Sequence, residues 1–311
     1  MLVERRLSAE QIVTVTALCA EAAEADGVYP LSEHVSLHLR YGGEEPDRNL
    51  MALTPAGELA GYAHLDPTDQ VSGAAAEIVV HPAHRRHGYG RLLVETAERE
   101  AGGTRLRLWA HGDHPSARTL ALSLGYVEIR RLLQLRRSLL SPLPELTLPA
   151  GIRLRSFRPG EDDDTWLALN GRAFAHHPEQ GGWTDADLAA RMRESWFDPA
   201  GFLLAEDIGP AGDRAPELVG FHWTKVHGRG GDSHGHGHEP IGEVYVVGVD
   251  PDHGGLGIGR AITLAGLLRM RGQGLTQAML YVEGDNAAAL AVYERLGFTR
   301  WDTDVMFLKG G

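Results

Sequence analysis

The sequence has very little cysteine and no long apolar run. Its single cysteine among 311 residues, Cys19, cannot form an intramolecular disulfide or supply the cysteines of a structural zinc site. No apolar run approaches the roughly 20 residues of a membrane-spanning helix. The arginines of the opening MLVERRLSAEQ have no apolar stretch behind them, which is not typical of a secretory signal. We therefore expect a cytoplasmic protein.

Positive charge is scarce as well. The chain has 42 acidic and 30 basic side chains, for a formal net charge of −12. This balance argues against a general binder of nucleic acid or of anionic membranes, because both need a basic surface. Hydrophobic residues make up 43% of the chain and charged residues 23%, which indicates a globular protein with a packed core. The length suggests one large domain or two ordinary ones.

The chain contains an internal repeat. Residues 79–91 (VVHPAHRRHGYGR) and 248–260 (GVDPDHGGLGIGR) align at one offset, and two further blocks repeat in the same order. The identical pairs of the first block are Val80/Val249, Pro82/Pro251, His84/His253, Gly88/Gly257, Gly90/Gly259 and Arg91/Arg260. The further blocks are Leu59–Tyr62 with Leu218–Phe221, and Leu124–Tyr126 with Leu296–Phe298. We therefore predict two copies of one domain.

A proline-punctuated, aperiodic segment separates the two copies. We predict a first domain at 1–140, a linker at 141–151 and a second domain at 152–311. Within the second copy, strands are predicted at 152–155, 201–206, 218–225, 243–249 and 278–282, and helices at 260–270 and 286–296. This order predicts an α/β fold with a mixed (α+β) sheet in each copy.

Each copy places a glycine-rich loop between a buried strand and a helix. Helix N-termini have unpaired backbone N–H groups and a positive dipole end, and glycines let the backbone approach an anion closely. The loops are Arg85–Gly90 and Gly254–Gly259. Neither has the Gly-Lys-Ser/Thr of a nucleotide P-loop or the spacing of a dinucleotide-binding fingerprint. The loops predict a site for an anion such as a pyrophosphate, and a simple tight turn is the alternative.

A second motif follows the loop in the second copy: Asn286-x-x-Ala289-x-x-x-Tyr293-x-x-x-Gly297-Phe298. Together, loop and motif resemble the GCN5-related N-acetyltransferase (GNAT) superfamily, which implies two tandem GNAT domains that use acetyl-CoA. One departure is that the Arg or Gln that usually opens the loop is Gly254 here, whereas Arg85 keeps it in the first copy. The implied acetyl-CoA contacts in the second copy are Val247, Gly248, Val249, Gly254, Gly255, Leu256, Gly257, Ile258, Gly259, Arg260, Asn286, Ala287, Ala288, Ala289, Leu290 and Ala291. The equivalent contacts in the first copy are Ile78, Val79, Val80, Arg86, His87, Gly88, Tyr89, Gly90 and Arg91.

Acetyl transfer to an amine needs a group that removes the amine proton and a group that protonates the leaving thiolate. Glu243, at the head of the central strand, and Tyr293, on the last helix, are the candidate catalytic residues. The repeat alignment places Ala74 opposite Glu243 and Ala121 opposite Tyr293. We therefore expect a catalytic second domain and a first domain without turnover. A strand-edge carboxylate paired with an arginine, and a core aromatic, are the structural alternatives for these two residues.

Several segments narrow the resemblance to the tandem, mycothiol-forming branch of the superfamily. They are 26–33 (DGVYPLSE), 177–183 (HPEQGGW), 242–249 (GEVYVVGV) and 280–286 (LYVEGDN). The resemblance implies acetylation of the cysteinyl amine of cysteinyl-glucosaminyl-inositol, and we expect a monomer that needs no metal. It implies Glu33, Glu179, Lys225, Glu243 and Tyr281 as substrate-binding residues. A tandem acetyltransferase for a peptide N-terminus or an aminoglycoside, and a non-catalytic acyl-CoA-binding regulator, are the alternatives.

Two other features have simple interpretations. The segment 230–238 (GGDSHGHGH) has three histidines at alternate positions, but its glycines make a poor preformed metal site, so we expect a flexible insertion. Cys19 follows Ile12, Val15 and Leu18 in an apolar pattern, which predicts a buried structural thiol on a helix.

Overall fold

The structure is a computed structural model that describes residues 1–42, 46–68, 73–228 and 240–309. The chain forms two compact units, which are described separately. The first contains Met1–Leu133, Glu283–Asp285 and the described residues from Asp302 onward, and the second contains Gln134–Val282 and Asn286–Trp301. The first unit therefore contains residues from 302 onward, although the division of the sequence at 141–151 assigns these residues to the second domain.

The first unit has a mixed sheet in the strand order β1-β2-β3-β4-β5-β12. Neighbouring strands are antiparallel except β4 and β5, which are parallel. The strands are β1 (Leu2–Glu4), β2 (Arg48–Leu53), β3 (Leu59–Asp66), β4 (Ala74–Val80), β5 (Leu106–Ala110) and β12 (Thr299–Lys309). The helices are α1 (Ala9–Asp26), α2 (Glu33–Tyr41), α3 (Tyr89–Glu100) and α4 (Pro115–Ser123).

Helices cover both faces of this sheet. Leu50 packs in the core that contains α3, whereas its neighbour Met51 packs in the core that contains α1. Because successive strand residues point to opposite faces, α1 and α3 lie on opposite sides. Cys19 is fully buried on α1, and burial raises the pKa of its thiol to about 12, as expected of a structural cysteine.

The second unit repeats the design with the strand order β6-β11-β10-β9-β8-β7. Its strands are β6 (Tyr126–Ser138, of which 134–138 belong to this unit), β7 (Ile152–Ser156), β8 (Phe202–Asp207), β9 (Glu217–His227), β10 (Ile241–Val249) and β11 (Gln277–Glu283). Its helices are α5 (Asp163–Ala173), α6 (Pro178–Gly181), α7 (Asp185–Met192), α8 (Ile258–Gly272) and α9 (Ala287–Arg295). Every strand and helix predicted in the second copy is present, with ends that differ by no more than two residues.

Adjacent residues of β9 define the two faces of the second sheet. Gly220 faces α8, since a Cβ there would lie 3.2 Å from Ile258, whereas Phe221 packs against Trp166 of α5. The α5 side is an aromatic core that includes Trp166, Phe202 and Trp223, all fully buried. Among the described residues, no helix is long and apolar enough to cross a membrane.

Candidate active site

The central strand β10 separates from one neighbour partway along its length. It pairs with β9 from Ile241 to Val249, but its parallel pairing with β11 covers only Gly242–Val244 within the described part of the chain. A β-bulge lies between Val244 and Val246, and bulges bend a strand and redirect its side chains. The predicted acetyl-CoA contacts Val247, Gly248 and Val249 lie beyond this point, where β10 has no pairing with β11 among the described residues.

The glycine loop after β10 has the geometry of an anion site. Asp250 caps the turn Pro251–His253, and α8 begins at Ile258. Gly255 and Gly257 have φ values of 77° and 83°, and a Cβ at either would meet nothing within 4 Å. Backbone conformation, and not space, therefore requires glycine at these positions. The first N–H groups of α8 have no partner within the helix, so they are available to an anion such as a pyrophosphate.

Glu243 is a buried carboxylate that contacts an imidazole. Its Oε2 lies 2.7 Å from Nε2 of His227, whose side chain is 30% exposed against 8% for Glu243. The two residues are diagonal neighbours, because Glu243 pairs directly with Lys225 across β9 and β10. The pair therefore links a buried acceptor for a proton to a group that reaches solvent. It replaces the arginine pairing that was the structural alternative for Glu243.

Sequence reasoning did not single out His227 as a site residue. Side chains alternate along a strand, so residues 225 and 227 lie on the same face. This alternation could have indicated that His227 lies near the predicted site residue Lys225. Residues 229–239, which contain the three alternate histidines, lie outside the described part of the chain.

Tyr293 lies in the C-terminal half of α9 and is 7% exposed. The Asn286 side chain caps α9 by accepting a hydrogen bond from the N–H of Ala289, so the predicted contacts 286–291 form the first turns of this helix. The Tyr293 ring packs edge-on against Phe298 at 5.8 Å between centroids. Burial raises the pKa of Tyr293 to about 12, so the phenol keeps its proton at neutral pH.

The predicted substrate-binding residues are distributed over both units. Lys225 is buried beside Glu243, with Nζ 4.8 Å from the ring centroid of Trp196 and 5.3 Å from that of Tyr245. Tyr281 follows the last β10–β11 pair, is 39% exposed, and its hydroxyl accepts a hydrogen bond from Gln134 at 2.8 Å. Glu33 begins α2 in the first unit. Glu179 lies in α6, but its side chain is outside the described part of the chain.

The first unit contains a cavity of about 430 Å³ beside its own glycine loop. Seven of the nine predicted contacts line it, and His87 and Tyr89 do not. These seven are Ile78, Val79, Val80, Arg86, Gly88, Gly90 and Arg91. Gly88 has a φ of 88° and Arg86 a φ of 67°, so this loop has the same left-handed steps as the second loop. Arg85 forms two hydrogen bonds of 2.7 Å with Asp26.

A charged cluster lies beside this cavity. His111, which lines the cavity, contacts Glu77 at 3.4 Å through Nε2 and Asp304 at 3.1 Å through Nδ1. Burial opposes the charge on His111, but the contacts with Asp304 and Glu77 outweigh it and raise the pKa of His111 to about 10. Burial likewise opposes the charge on Glu77, and His111 together with the Ser32 N–H outweighs it and lowers the Glu77 pKa.

Sequence reasoning did not find this cluster, because its members are far apart in the chain. In place of the two candidate catalytic residues, the first copy has the buried alanines Ala74 and Ala121. The first copy thus has a cavity beside its loop, but alanines where the second copy has Glu243 and Tyr293.

Comparison with known proteins agrees with this duplicated design. The family model for the acetyltransferase (GNAT) family matches residues 16–126 and 168–298. The chain is 53% identical to a protein named mycothiol acetyltransferase from Streptosporangium roseum, covering 98% of this chain and 97% of that protein. It is 55% identical to a protein of the same name from Acidothermus cellulolyticus, covering 98% and 93%.

Solved structures show the same fold. A GCN5-related N-acetyltransferase from Sphaerobacter thermophilus superposes with a TM-score of 0.70 at 23% identity, covering 99% of this chain and 95% of that one. A tandem GNAT protein from the clavulanic acid biosynthesis pathway superposes with a TM-score of 0.69 at 21% identity, covering 100% and 99%. The two matched ranges of the family model fall on the two copies, so the chain belongs to the GNAT acetyltransferase family and carries two domains of that family in tandem.

Proposed function

We propose that this chain transfers the acetyl group of acetyl-CoA to the cysteinyl amine of cysteinyl-glucosaminyl-inositol, which completes mycothiol. Relatives named mycothiol acetyltransferase match nearly the whole chain at 53–55% identity, which supports this acceptor. The observation that carries the chemistry is the contact of the buried Glu243 with the partly exposed His227, at the point where β10 and β11 separate. The reaction forms an amide C–N bond and breaks the thioester C–S bond.

Glu243 is the general base in this proposal. The substrate amine must lose a proton before or as its nitrogen attacks the thioester carbonyl carbon. Glu243 accepts that proton, directly or through a water molecule, and the neighbouring imidazole of His227 is placed to pass it to solvent. A buried carboxylate alone would have to hold the proton until the product leaves. The half-exposed His227 gives the proton a path out.

Tyr293 is the general acid in this proposal. The departing sulfur takes up negative charge as the C–S bond breaks, and a proton from the Tyr293 hydroxyl neutralises it. Its pKa, raised to about 12 by burial, keeps the phenol protonated until the thiolate forms. The open β11 side of Val247–Val249 supplies backbone N–H groups that bind the pantetheine arm and polarise the carbonyl.

The first domain acts in binding and not in turnover. Its alanines at positions 74 and 121 supply neither a base nor an acid. Its cavity and glycine loop are suited to an acyl-CoA, and Glu33 is its proposed contribution to binding the acceptor. In the division of the sequence into two copies, residues 1–140 are the non-catalytic domain, 141–151 the linker and 152–311 the catalytic domain.

The proposed enzyme is a cytoplasmic monomer whose transfer step uses no metal ion and no covalent enzyme intermediate. Direct attack requires both substrates to be bound together. Initial-rate kinetics should therefore give intersecting double-reciprocal lines, and a parallel, ping-pong pattern would contradict direct attack. Size-exclusion chromatography with light scattering should give the mass of one chain.

The decisive experiment is a mass-spectrometric transfer assay. Purified chain and acetyl-CoA are offered cysteinyl-glucosaminyl-inositol in competition with peptides and aminoglycosides, and a Glu243→Gln variant serves as the inactive control. One acetyl group gained by the thiol-sugar alone supports the proposal. Acetylation of another acceptor would replace the substrate but keep the mechanism. No transfer to any acceptor would favour the non-catalytic regulator.

A further inference from the structure

Three side chains of metal-binding type meet in the first unit, and none of them lines the cavity described above. They are His38, Asp47 and His64, and their potential ligand atoms all lie within 4.8 Å of one another. His38 lies on α2, Asp47 directly precedes β2, and His64 lies on β3. The β2–β3 ladder pairs Asn49 with His64, which brings the Asp47 side chain to the same place. Three separate elements therefore converge on one point.

The cluster is buried, unlike an ordinary surface group of polar residues. The side chains of Asp47 and His64 are 1% and 3% exposed, and that of His38 is 16% exposed. Asp47 Oδ2 lies 3.0 Å from His38 Nδ1 and 3.6 Å from His64 Nε2. In a tetrahedral zinc site with bonds of about 2.0–2.1 Å, neighbouring ligand atoms lie roughly 3.3 Å apart. The two distances bracket that separation without movement of the backbone.

A fourth histidine stands beside the three. His34 lies one helical turn before His38, and the two ring centroids are 4.0 Å apart. Two histidines at i and i+4 on one helix face are a common zinc-binding pair. His34 Nε2 is 4.0 Å from a carboxylate oxygen of Asp66, and metal-bound histidines usually have such a carboxylate behind them.

We propose that His38, Asp47 and His64 bind one Zn²⁺ ion, with His34 or a water molecule as the fourth ligand. Imidazole nitrogens favour Zn²⁺ over Mg²⁺ and Ca²⁺, which prefer oxygen ligands. The ion joins α2 to β2 and β3, and Glu33 is the first residue of α2. The site is therefore structural, and it fixes the helix that carries the proposed substrate contact of the first domain. This proposed zinc site differs from the sequence-based expectation that the protein needs no metal.

The test is a zinc titration of the full chain. The histidine-rich segment could bind zinc by itself, so His234, His236 and His238 are first replaced by serine, and this background chain is stripped of metal with a chelator. Zn²⁺ is then titrated at pH 7.5 against a chromophoric zinc indicator. We expect one tight equivalent per chain and a Tm that rises with zinc. Co²⁺ in place of Zn²⁺ should give visible d–d absorption of a tetrahedral nitrogen–oxygen site.

Three variants in this background separate a metal site from a hydrogen-bonded His–Asp–His brace. Asp47→Asn keeps the shape and hydrogen-bonding ability but loses the anionic ligand, and His38→Ala removes the most exposed of the three ligands. Each should lower the zinc affinity by at least about 100-fold. His176→Ala, which changes an exposed histidine of the second unit, should leave it unchanged. Circular dichroism without zinc checks that each variant is folded.

Two outcomes would overturn the proposal. One is a folded background chain that takes up no zinc at micromolar concentration. The other is equal zinc affinity in the background chain and in a folded Asp47→Asn variant, which would place the ion elsewhere.

Discussion

The two copies share a loop and differ in a strand. Both loops turn through left-handed glycines into a helix, at Gly88 with a φ of 88° and at Gly257 with a φ of 83°. The strands before the loops differ in the length of their parallel pairing. In the first copy, β4 pairs with β5 as far as Glu77, and the repeat aligns Glu77 with Val246 of β10. The pairing of β10 with β11 ends two positions earlier, at Val244.

A bulge accounts for part of this difference. The β9–β10 register shifts between Val244 and Val246, whereas the β3–β4 register is continuous from Gly61 to Asp66. The second copy therefore opens its central strand sooner, next to a buried carboxylate. The first copy keeps its strand paired and holds Glu77 against His111, which also contacts Asp304 and lines the cavity. An anion-binding loop can thus be kept while the groups for proton transfer are absent.

The largest expected contrast is between the two buried glutamates that contact histidines. Glu243→Gln should lower kcat at pH 7 by about 10²–10⁴-fold, because general-base catalysis is lost. Raising the pH should restore part of the rate, since solvent then deprotonates the amine. The matched variant Glu77→Gln should leave kcat within about twofold. Steady-state kinetics from pH 6.5 to 9.5 test this, and the absence of rescue in Glu243→Gln would assign Glu243 to binding instead.

A smaller contrast is expected between two buried tyrosines. Tyr293→Phe should lower kcat about 10²-fold, since the leaving thiolate loses its acid. Tyr62→Phe removes a hydroxyl that donates to Asn49 at 2.6 Å in the first unit, and should cost about 1 kcal/mol of stability with kcat unchanged. Rapid-quench measurement of one turnover, with urea unfolding in parallel, separates the two effects. An unchanged single-turnover rate in Tyr293→Phe would remove it from the mechanism.

The paired loop glycines should differ in function but not in stability. Neither Gly88 nor Gly257 has an atom within 4 Å of an added Cβ, so alanine at either position costs only the left-handed backbone, about 1–2 kcal/mol. Gly257→Ala should raise the KM for acetyl-CoA about tenfold, because the N–H groups of the loop shift. Gly88→Ala should leave that KM unchanged. If Gly88→Ala raised the KM as much as Gly257→Ala, the first copy would take part in turnover.

The smallest contrast concerns two buried histidines and pH. Contacts with Asp304 and Glu77 raise the pKa of His111 to about 10 against its burial, so its stabilisation is complete below pH 6.5 and is lost as the pH rises through 10. Burial alone lowers the pKa of His222 in the second unit to about 3, and neither ring nitrogen has a hydrogen-bond partner among the described residues. Its stabilisation is complete above pH 6.5 and is lost as the pH falls through 3.

Each histidine should therefore steepen the pH dependence of the free energy of unfolding by at most about 1.4 kcal/mol per pH unit, His111 on the alkaline side and His222 on the acidic side. Urea unfolding across pH 4–10 measures both sides. His111→Gln should flatten the alkaline side and His222→Gln the acidic side, whatever each variant does to the absolute stability. Unchanged slopes in both variants would contradict these assignments.

Local sequence predicts much of the site, and long-range pairing supplies the rest. The β-branched run of β10, the positive-φ glycines and the cap at Asn286 depend on neighbouring residues, so all three can be recognised without a structure. The Glu243–His227 contact depends on the register of two strands. The His111–Asp304 contact joins residues almost two hundred positions apart, and no local pattern contains that information.

The strand β12 has a consequence for synthesis on the ribosome. Residues 302–309 belong to the first unit, where Val305–Leu308 pair with β5 and Asp304 meets His111. When Leu133 has been made, about 170 further residues must follow before that strand exists, which takes roughly 8–35 s at bacterial or eukaryotic elongation rates. Until then the edge of β5 lies open to pairing with another nascent chain. The half of the protein that is translated first is thus the half that is completed last.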